Sequence, residues 1–235
     1  MNTHHKELLE EIKKKAKKDQ GFYLSANYSG SSHPRYGLSV PESRQIAKAW
    51  TLQYKNISLS EFLDLLNSLY QGESTDEKKI AGQLLQYSPM LRAQISPKSL
   101  NNWLNTLEGW EEIDSLCQSV FTYKDFLTNW SRWESLLKKF SSIGNLSKKR
   151  SSLVLLTGAV HYSNDERLAN LAFANINKLK TDYTILITKA ISWLLRELIW
   201  NHRTKVEKYL LNNFNSLPKI AIRETTNKLR KSKST

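Results

Sequence analysis

The chain has 235 residues with only 8 glycines and 5 prolines, clustered at a few places and not recurring at turn spacing, which argues against an all-β fold. Lysine and arginine total 35 against 22 acidic residues, so the formal net charge of +13 is a surface property of a folded protein and not of a disordered basic tail. Polyanions are the expected partners, nucleic acid before an anionic membrane surface. The single cysteine, Cys117, excludes an intramolecular disulfide framework and suits a reducing cytoplasm. No apolar run approaches bilayer-spanning length, and the first eighteen residues lack a signal-peptide hydrophobic region, so neither a membrane-spanning segment nor a secretory leader is expected. The 5 histidines show no ligand spacing with cysteine or carboxylates, so no metal site is expected.

In chain order, Leu8, Leu9, Ile12 and Ala16 fall at helical spacing within an amphipathic segment from Lys6 to Lys18. Gly21 to Gly37, rich in Ser, Gly and aromatics, reads as a loop holding a short helix. Ser39, Pro41 and Glu42 open a helix running to about Tyr54, with Arg44 and Lys48 one turn apart. Further helices are predicted near Ser60–Leu69, Thr75–Tyr87, Pro97–Leu107, Trp110–Phe121 and Lys124–Phe140. Past Gly144 and Asn145 come Ser147–Tyr162, Asn164–Ile176, Asp182–Asn201, Thr204–Asn213 and Pro218–Arg230. The tail from Lys231 to Thr235 is polar and expected to fray. Such a run of helices joined by short links predicts antiparallel pairs stacked side by side, a single curved α-solenoid of degenerate HEAT-like repeats forming one domain over residues 1–235. A compact all-α bundle is the alternative.

Three local patterns carry chemistry. In a helical Gly109–Asp114, the four-residue step puts the Trp110 indole and the Asp114 carboxylate on one face. An aromatic face beside a carboxylate receives a group that becomes cationic during reaction. The competing reading is a core tryptophan beside helix-start acids, since Glu108, Glu111, Glu112 and Asp114 all favour a positive helix end. Lys189, Trp193 and Arg196 also share one helix face, with Glu197 beside them, or else Trp193 is a core residue with a flanking ion pair. Lys148, Lys149 and Arg150 form a basic set, either a solvated face or a phosphate contact.

Together these residues resemble the DNA alkylation repair enzymes of the AlkD-like group, HEAT-like α-solenoid DNA glycosylases. The resemblance is carried by Tyr28, the stretch Gly37–Arg44, Trp110 with Asp114, Arg150, and Lys189 through Glu197, and its helical pattern covers nearly the whole chain. The nine-residue Lys189–Glu197 match is the most specific. The resemblance implies a monofunctional glycosylase excising cationic N3-methyladenine and N7-methylguanine from double-stranded DNA, as a bacterial, cytoplasmic monomer needing no cofactor and without a flipped-base pocket. It casts Asp114 as the catalytic carboxylate, Trp110 and Trp193 as the active-site tryptophans and Arg150 as a backbone clamp, with Tyr28, Arg44, Lys48, Lys189 and Arg196 facing the DNA. The chain departs from the family's Trp-Asp-Ser-Val-Asp at Glu111, Glu112 and Ile113, and Gly109 stands where an aromatic is often found. The two extra glutamates oppose phosphate approach unless they point away. The family also includes members that bind branched DNA without excising bases, so non-catalytic recognition of distorted DNA is the alternative function, and a scaffold for an acidic protein partner is a third.

Overall fold

The computed structural model describes residues 2–17, 29–118 and 120–231; Tyr28, much of the expected 21–37 loop and the end of the tail lie outside them. Thirteen helices fill the described residues and no strand occurs among them, as the all-α expectation requires. The chain divides into two compact units, Met1–Val120 and Phe121–Thr235.

The first unit holds α1 (Thr3–Lys14), α2 (Val40–Gln53), α3 (Leu59–Tyr70), α4 (Thr75–Tyr87), the short α5 (Pro89–Arg92) and α6 (Lys98–Trp103), and α7 (Gly109–Cys117). Ser39, Ser58 and Ser74 each cap a helix and pair with a glutamate three residues on, satisfying amide donors that the first turn leaves open. Helix α3 begins at Leu59, one residue before the expected Ser60, because Ser58 stands three residues before Glu61 and supplies the cap. Helix α4 is the centre of this unit. Every residue from Thr75 to Leu85 is buried, and α2, α3 and α7 all pack on it.

Burying α4 takes four consecutive charged residues out of water, and each finds a partner. Asp76 accepts the Tyr36 amide at 2.7 Å and Lys78 donates to the Tyr70 carbonyl at 3.2 Å and to that of Gly72. Lys79 lies 3.9 Å from Asp76, and Glu77 contacts His5 Nε2 at 2.7 Å while accepting from Ser74. Buried charge is tolerated only when paired in this way.

The second unit holds α8 (Tyr123–Thr128), α9 (Trp130–Phe140), α10 (Leu146–Tyr162), α11 (Glu166–Leu179), α12 (Ile185–Asn213) and α13 (Lys219–Lys231). Its central helix is α10, buried from Ser147 through Val160 except at Lys149 and Gly158, and packed on α11 and, most heavily, on α12. The helix expected over 124–140 is two helices. Asn129 leaves helical geometry at φ −123°, ψ 44°, and Phe126 meets Trp133 edge-on at 4.6 Å across the corner. The break expected between helices near residue 202 is present: His202, at φ −132°, ψ 35°, interrupts helical geometry within α12. In both units the long helices pack on the next helix but one (α2 on α4, α10 on α12), the two-layer arrangement of an α-solenoid.

Candidate functional site

Helix α7 presents the first set of candidate residues. Trp110 and Asp114 are half-buried, and their four-residue spacing puts them on one side of the helix. Trp50, Trp103 and Trp133, by contrast, are 5%, 3% and 3% exposed and belong to the core. Trp110 is thus not sealed in the core.

Two glycines set the depth at which α7 lies. A Cβ on Gly82 of α4 would fall 2.1 Å from the Ser115 carbonyl oxygen, so the two helices cross with no room for a side chain. Gly109 adopts φ +63°, and a Cβ there would lie 2.3 Å from the Ser29 carbonyl oxygen. Glycine alone allows both that backbone and that approach, which accounts for the missing aromatic before Trp110.

The two glutamates that distinguish this sequence are structural. Glu112 is fully buried; its carboxylate accepts from Ser31 Oγ at 2.6 Å, Thr75 Oγ1 at 2.8 Å and the Glu108 amide at 2.8 Å, and His33 Nδ1 lies 3.0 Å from both of its oxygens. Glu111 forms an ion pair with Arg35. Glu108 accepts from the Ser32 hydroxyl at 2.7 Å and amide at 2.9 Å, bonds that hold its carboxyl below the usual range. Burial pushes the Lys78 amine down against the opposing charges of Glu112, Glu77 and Glu108. These acids tie the 31–35 segment and α4 to α7. They were legible in sequence as helix-start charges only; their partners in the 31–35 segment stand 76 to 81 positions away and carry no local signal. On α2, Arg44 and Lys48 are both exposed, one turn apart.

In the second unit, Trp193 is half-buried on α12 and its indole Nε1 donates to Glu197 Oε1 at 3.0 Å. Lys189, one turn earlier, is exposed. Arg196 is half-buried, with Nε donating to the Ser192 carbonyl at 3.2 Å and a terminal nitrogen 3.6 Å from Glu224. The Lys148–Arg150 set is not a solvated face. Burial and the neighbouring Lys139 charge push the Lys148 amine down, Lys149 pairs with Asp182 at 2.8 Å, and Arg150, 5% exposed, donates from Nη1 to the Leu186 carbonyl at 2.5 Å. Among the described residues no group of three or more His, Cys, Asp or Glu is placed to hold a metal ion, and no helix is long and apolar enough to cross a membrane.

A family model described as "DNA alkylation repair enzyme" matches residues 5–229. Among solved structures, the "Predicted DNA alkylation repair enzyme from Enterococcus faecalis" is similar at a TM-score of 0.67 and 18% identity, over 81% of this chain and 86% of that one. At that identity the likeness is one of fold. No curated protein matches the chain.

Proposed function

The chain belongs to the DNA alkylation repair enzyme family, with the DNA-binding repair role that membership carries, and from that premise we propose that it is a monofunctional glycosylase releasing N3-methyladenine and N7-methylguanine from duplex DNA. The observation that carries the proposal is the pairing on α7 of a half-buried indole and a carboxylate on one side of the helix, beside acids that are already bonded elsewhere.

Alkylation at N3 or N7 gives the purine a positive charge, so cleavage of the bond from C1′ to the base nitrogen releases a neutral molecule and needs no general acid. That removes one of the two carboxylates an ordinary glycosidase requires. The electron pair leaves with the base, and positive charge develops on the sugar ring. Water then bonds to C1′ and loses a proton.

Asp114 is assigned to stabilise the cationic sugar and to orient that water. A unit charge pair at ~4 Å and an effective dielectric of about 20 contributes on the order of 4 kcal/mol, an upper bound of roughly a thousandfold in rate. Part of that attraction exists before the bond breaks, because the base is already cationic, and only the remainder accelerates the step. Trp110 is assigned to face that sugar with its indole, a cation–π contact of about 0.5–2 kcal/mol, and the resemblance gives Trp193 the same role. Arg44, Lys48, Lys189 and Arg196 are assigned to the DNA backbone, and Tyr28 is given the same role by the resemblance alone. The resemblance makes Arg150 a phosphate clamp, but Arg150 is buried and bonded to the Leu186 carbonyl, so it is assigned instead to holding α10 against α12. The enzyme acts as a cytoplasmic monomer, without a flipped-base pocket and without a cofactor.

The test is release of free methylated purine from alkylated duplex DNA by the wild type and by Asp114→Asn. The substitution should lower the release rate by about a hundredfold or more, since it removes the charge–charge attraction estimated above, while duplex affinity and its salt dependence persist. Equal release by both proteins removes Asp114 from the chemistry. Salt-dependent duplex binding without any release favours non-catalytic recognition of distorted DNA.

A further inference from the structure

Trp193 does not hold its orientation alone. Its indole N–H donates to Glu197 Oε1 at 3.0 Å, and the other oxygen of that carboxylate lies 2.7 Å from His161 Nδ1. The imidazole is itself confined, with the Tyr162 ring 4.4 Å and the Trp200 ring 5.0 Å away, centroid to centroid. Asn201 then ties the end of α10 to α12, donating to the Val160 carbonyl at 3.0 Å and the His161 carbonyl at 2.7 Å. A continuous path of restraint therefore runs from the end of α10, through His161 and Glu197, to the plane of the Trp193 ring.

We propose that Glu197, braced by His161, is a positioning residue that sets the plane of the Trp193 indole for the glycosylase reaction. This rests on the assignment of Trp193 to that reaction. Three observations separate the role from ordinary packing. The His161–Glu197 contact is a single hydrogen bond, partly exposed on both sides at 27% and 25%, and such a bond contributes only about 0.5–1.5 kcal/mol to a fold. The bonded atom is the one polar atom of the indole, so the bond fixes ring rotation and leaves the π face uncovered. Both carboxylate oxygens are engaged by groups from two different helices, which fixes the carboxylate as well as the ring. An indole that must face a developing cation loses cation–π attraction as its plane turns, so orientation acts on the chemical step and not on duplex affinity.

The experiment is a mutant cycle in single-turnover release of 7-methylguanine from alkylated duplex, with thermal unfolding and duplex Kd measured in parallel. Glu197→Ala should lower the maximal rate about tenfold, with Kd changed less than about twofold and the unfolding midpoint moved by no more than about 3 °C. Glu197→Gln should recover most of the rate, because its amide oxygen accepts the indole N–H and its NH2 meets the other tautomer of His161. Trp193→Phe keeps an aromatic face and has no N–H to hold. In that background Glu197→Ala should have no further effect on the rate.

Equal losses in the two backgrounds, or a Gln variant as slow as the Ala variant, overturn the proposal. Asp114→Asn run alongside tells the two claims apart: if it is as active as wild type, the glycosylase mechanism fails, whereas an inactive Asp114→Asn with an additive cycle removes only the positioning role. A readout independent of activity is the indole N–H resonance that disappears in Trp193→Phe. It should move and exchange faster with solvent in Glu197→Ala, and an unmoved resonance refutes the restraint.

Discussion

Two glycines inside helices should respond to alanine in opposite directions. Alanine is the better helix former by about 0.8–1 kcal/mol, so Gly→Ala in a helix stabilises unless the methyl has nowhere to go. At Gly158 of α10 the new Cβ meets no heavy atom within 4 Å, and Gly158→Ala should stabilise by about 0.5–1 kcal/mol. At Gly82 the same methyl would sit 2.1 Å from the Ser115 carbonyl oxygen, 2.5 Å from its carbon and 3.1 Å from the Leu116 nitrogen. These are backbone atoms of α7, which no rotamer change can move. Relieving the overlap separates α4 from α7 by on the order of 1 Å, since van der Waals contact needs about 3.3 Å or more. Overpacking of this kind costs about 1–3 kcal/mol, and the lost Ser115-side contacts oppose the propensity gain, so Gly82→Ala should be net destabilising by roughly 1–2 kcal/mol. At about 2–4 °C per kcal/mol for a chain of this size, the unfolding midpoint should fall by about 2–8 °C. Because α7 carries Trp110 and Asp114, a displacement of that order should also slow base release by about tenfold to a hundredfold. The assays are thermal unfolding and single-turnover excision on the two variants. A Gly82→Ala protein at least as stable and as active as wild type would refute the close helix crossing as the feature that places the site.

Two further outcomes follow from the buried charges. Removing the Glu112 carboxylate leaves Ser31, Thr75 and the Glu108 amide without their acceptor, so Glu112→Ala should destabilise by about 3–5 kcal/mol in denaturant titration, more than Glu111→Ala, which strips one partner from Arg35; equal losses would contradict the hub role. Stability should also fall in acid in two stages. Burial holds His202 below its usual range, so the unfolded chain takes a proton near pH 6.5 that the folded chain resists, and stability declines as pH drops below that value. The carboxyls of Glu61, Glu108 and Asp182 are held low, and that of Glu42 at about 2. For Glu77 burial acts upward, but the bonds from His5 and Ser74 outweigh it. The stability these acids contribute is complete above about pH 4.5 and is lost as pH falls through their lowered folded values. Denaturant midpoints flat from pH 7 to 3 would contradict both.

Much of this fold is written locally. The capping boxes at Ser39 and Ser74, the helix starts and the kink near residue 202 all rest on residues within one or two turns of each other. The elements that depart from expectation do so for equally local reasons. Helical periodicity runs straight across Asn129, so the break between α8 and α9 is visible only once Phe126 and Trp133 are seen to pack across it. Ser60 beside Glu61 marks a helix start to within a residue, but the reciprocal bond that sets the start needs the three-residue step that Ser58 supplies. The candidate residues were legible as types and spacings: Trp110 with Asp114, and Lys189 with Trp193 and Arg196. Their settings were not. That Lys148 and Arg150 turn inward, that Glu112 is sealed among donors from two distant segments, and that His161 reaches Glu197 all depend on contacts dozens of residues apart. Sequence periodicity has no access to such contacts.

The departure from the family pattern at Glu111 and Glu112 bears directly on whether α7 can approach a phosphate backbone. Four carboxylates at Glu108, Glu111, Glu112 and Asp114 in one short stretch would repel DNA if all faced solvent. At about 100° per residue, position 112 points roughly 200° away from Trp110, whereas position 114 returns to within about 40° of it. Helix geometry therefore sends Glu112 into the interior and keeps Asp114 on the side of Trp110. The interior is built to receive it, through Ser31, Thr75 and His33, with the Lys78 charge acting on it as well. Glu111, to one side, meets Arg35. The extra acidity is thus neutralised or buried within the first unit, and the same bonds that remove it fasten the 31–35 segment to the helix bearing Trp110 and Asp114. A change that looks hostile to DNA binding in the sequence is, in the folded chain, part of what holds the proposed catalytic helix in place.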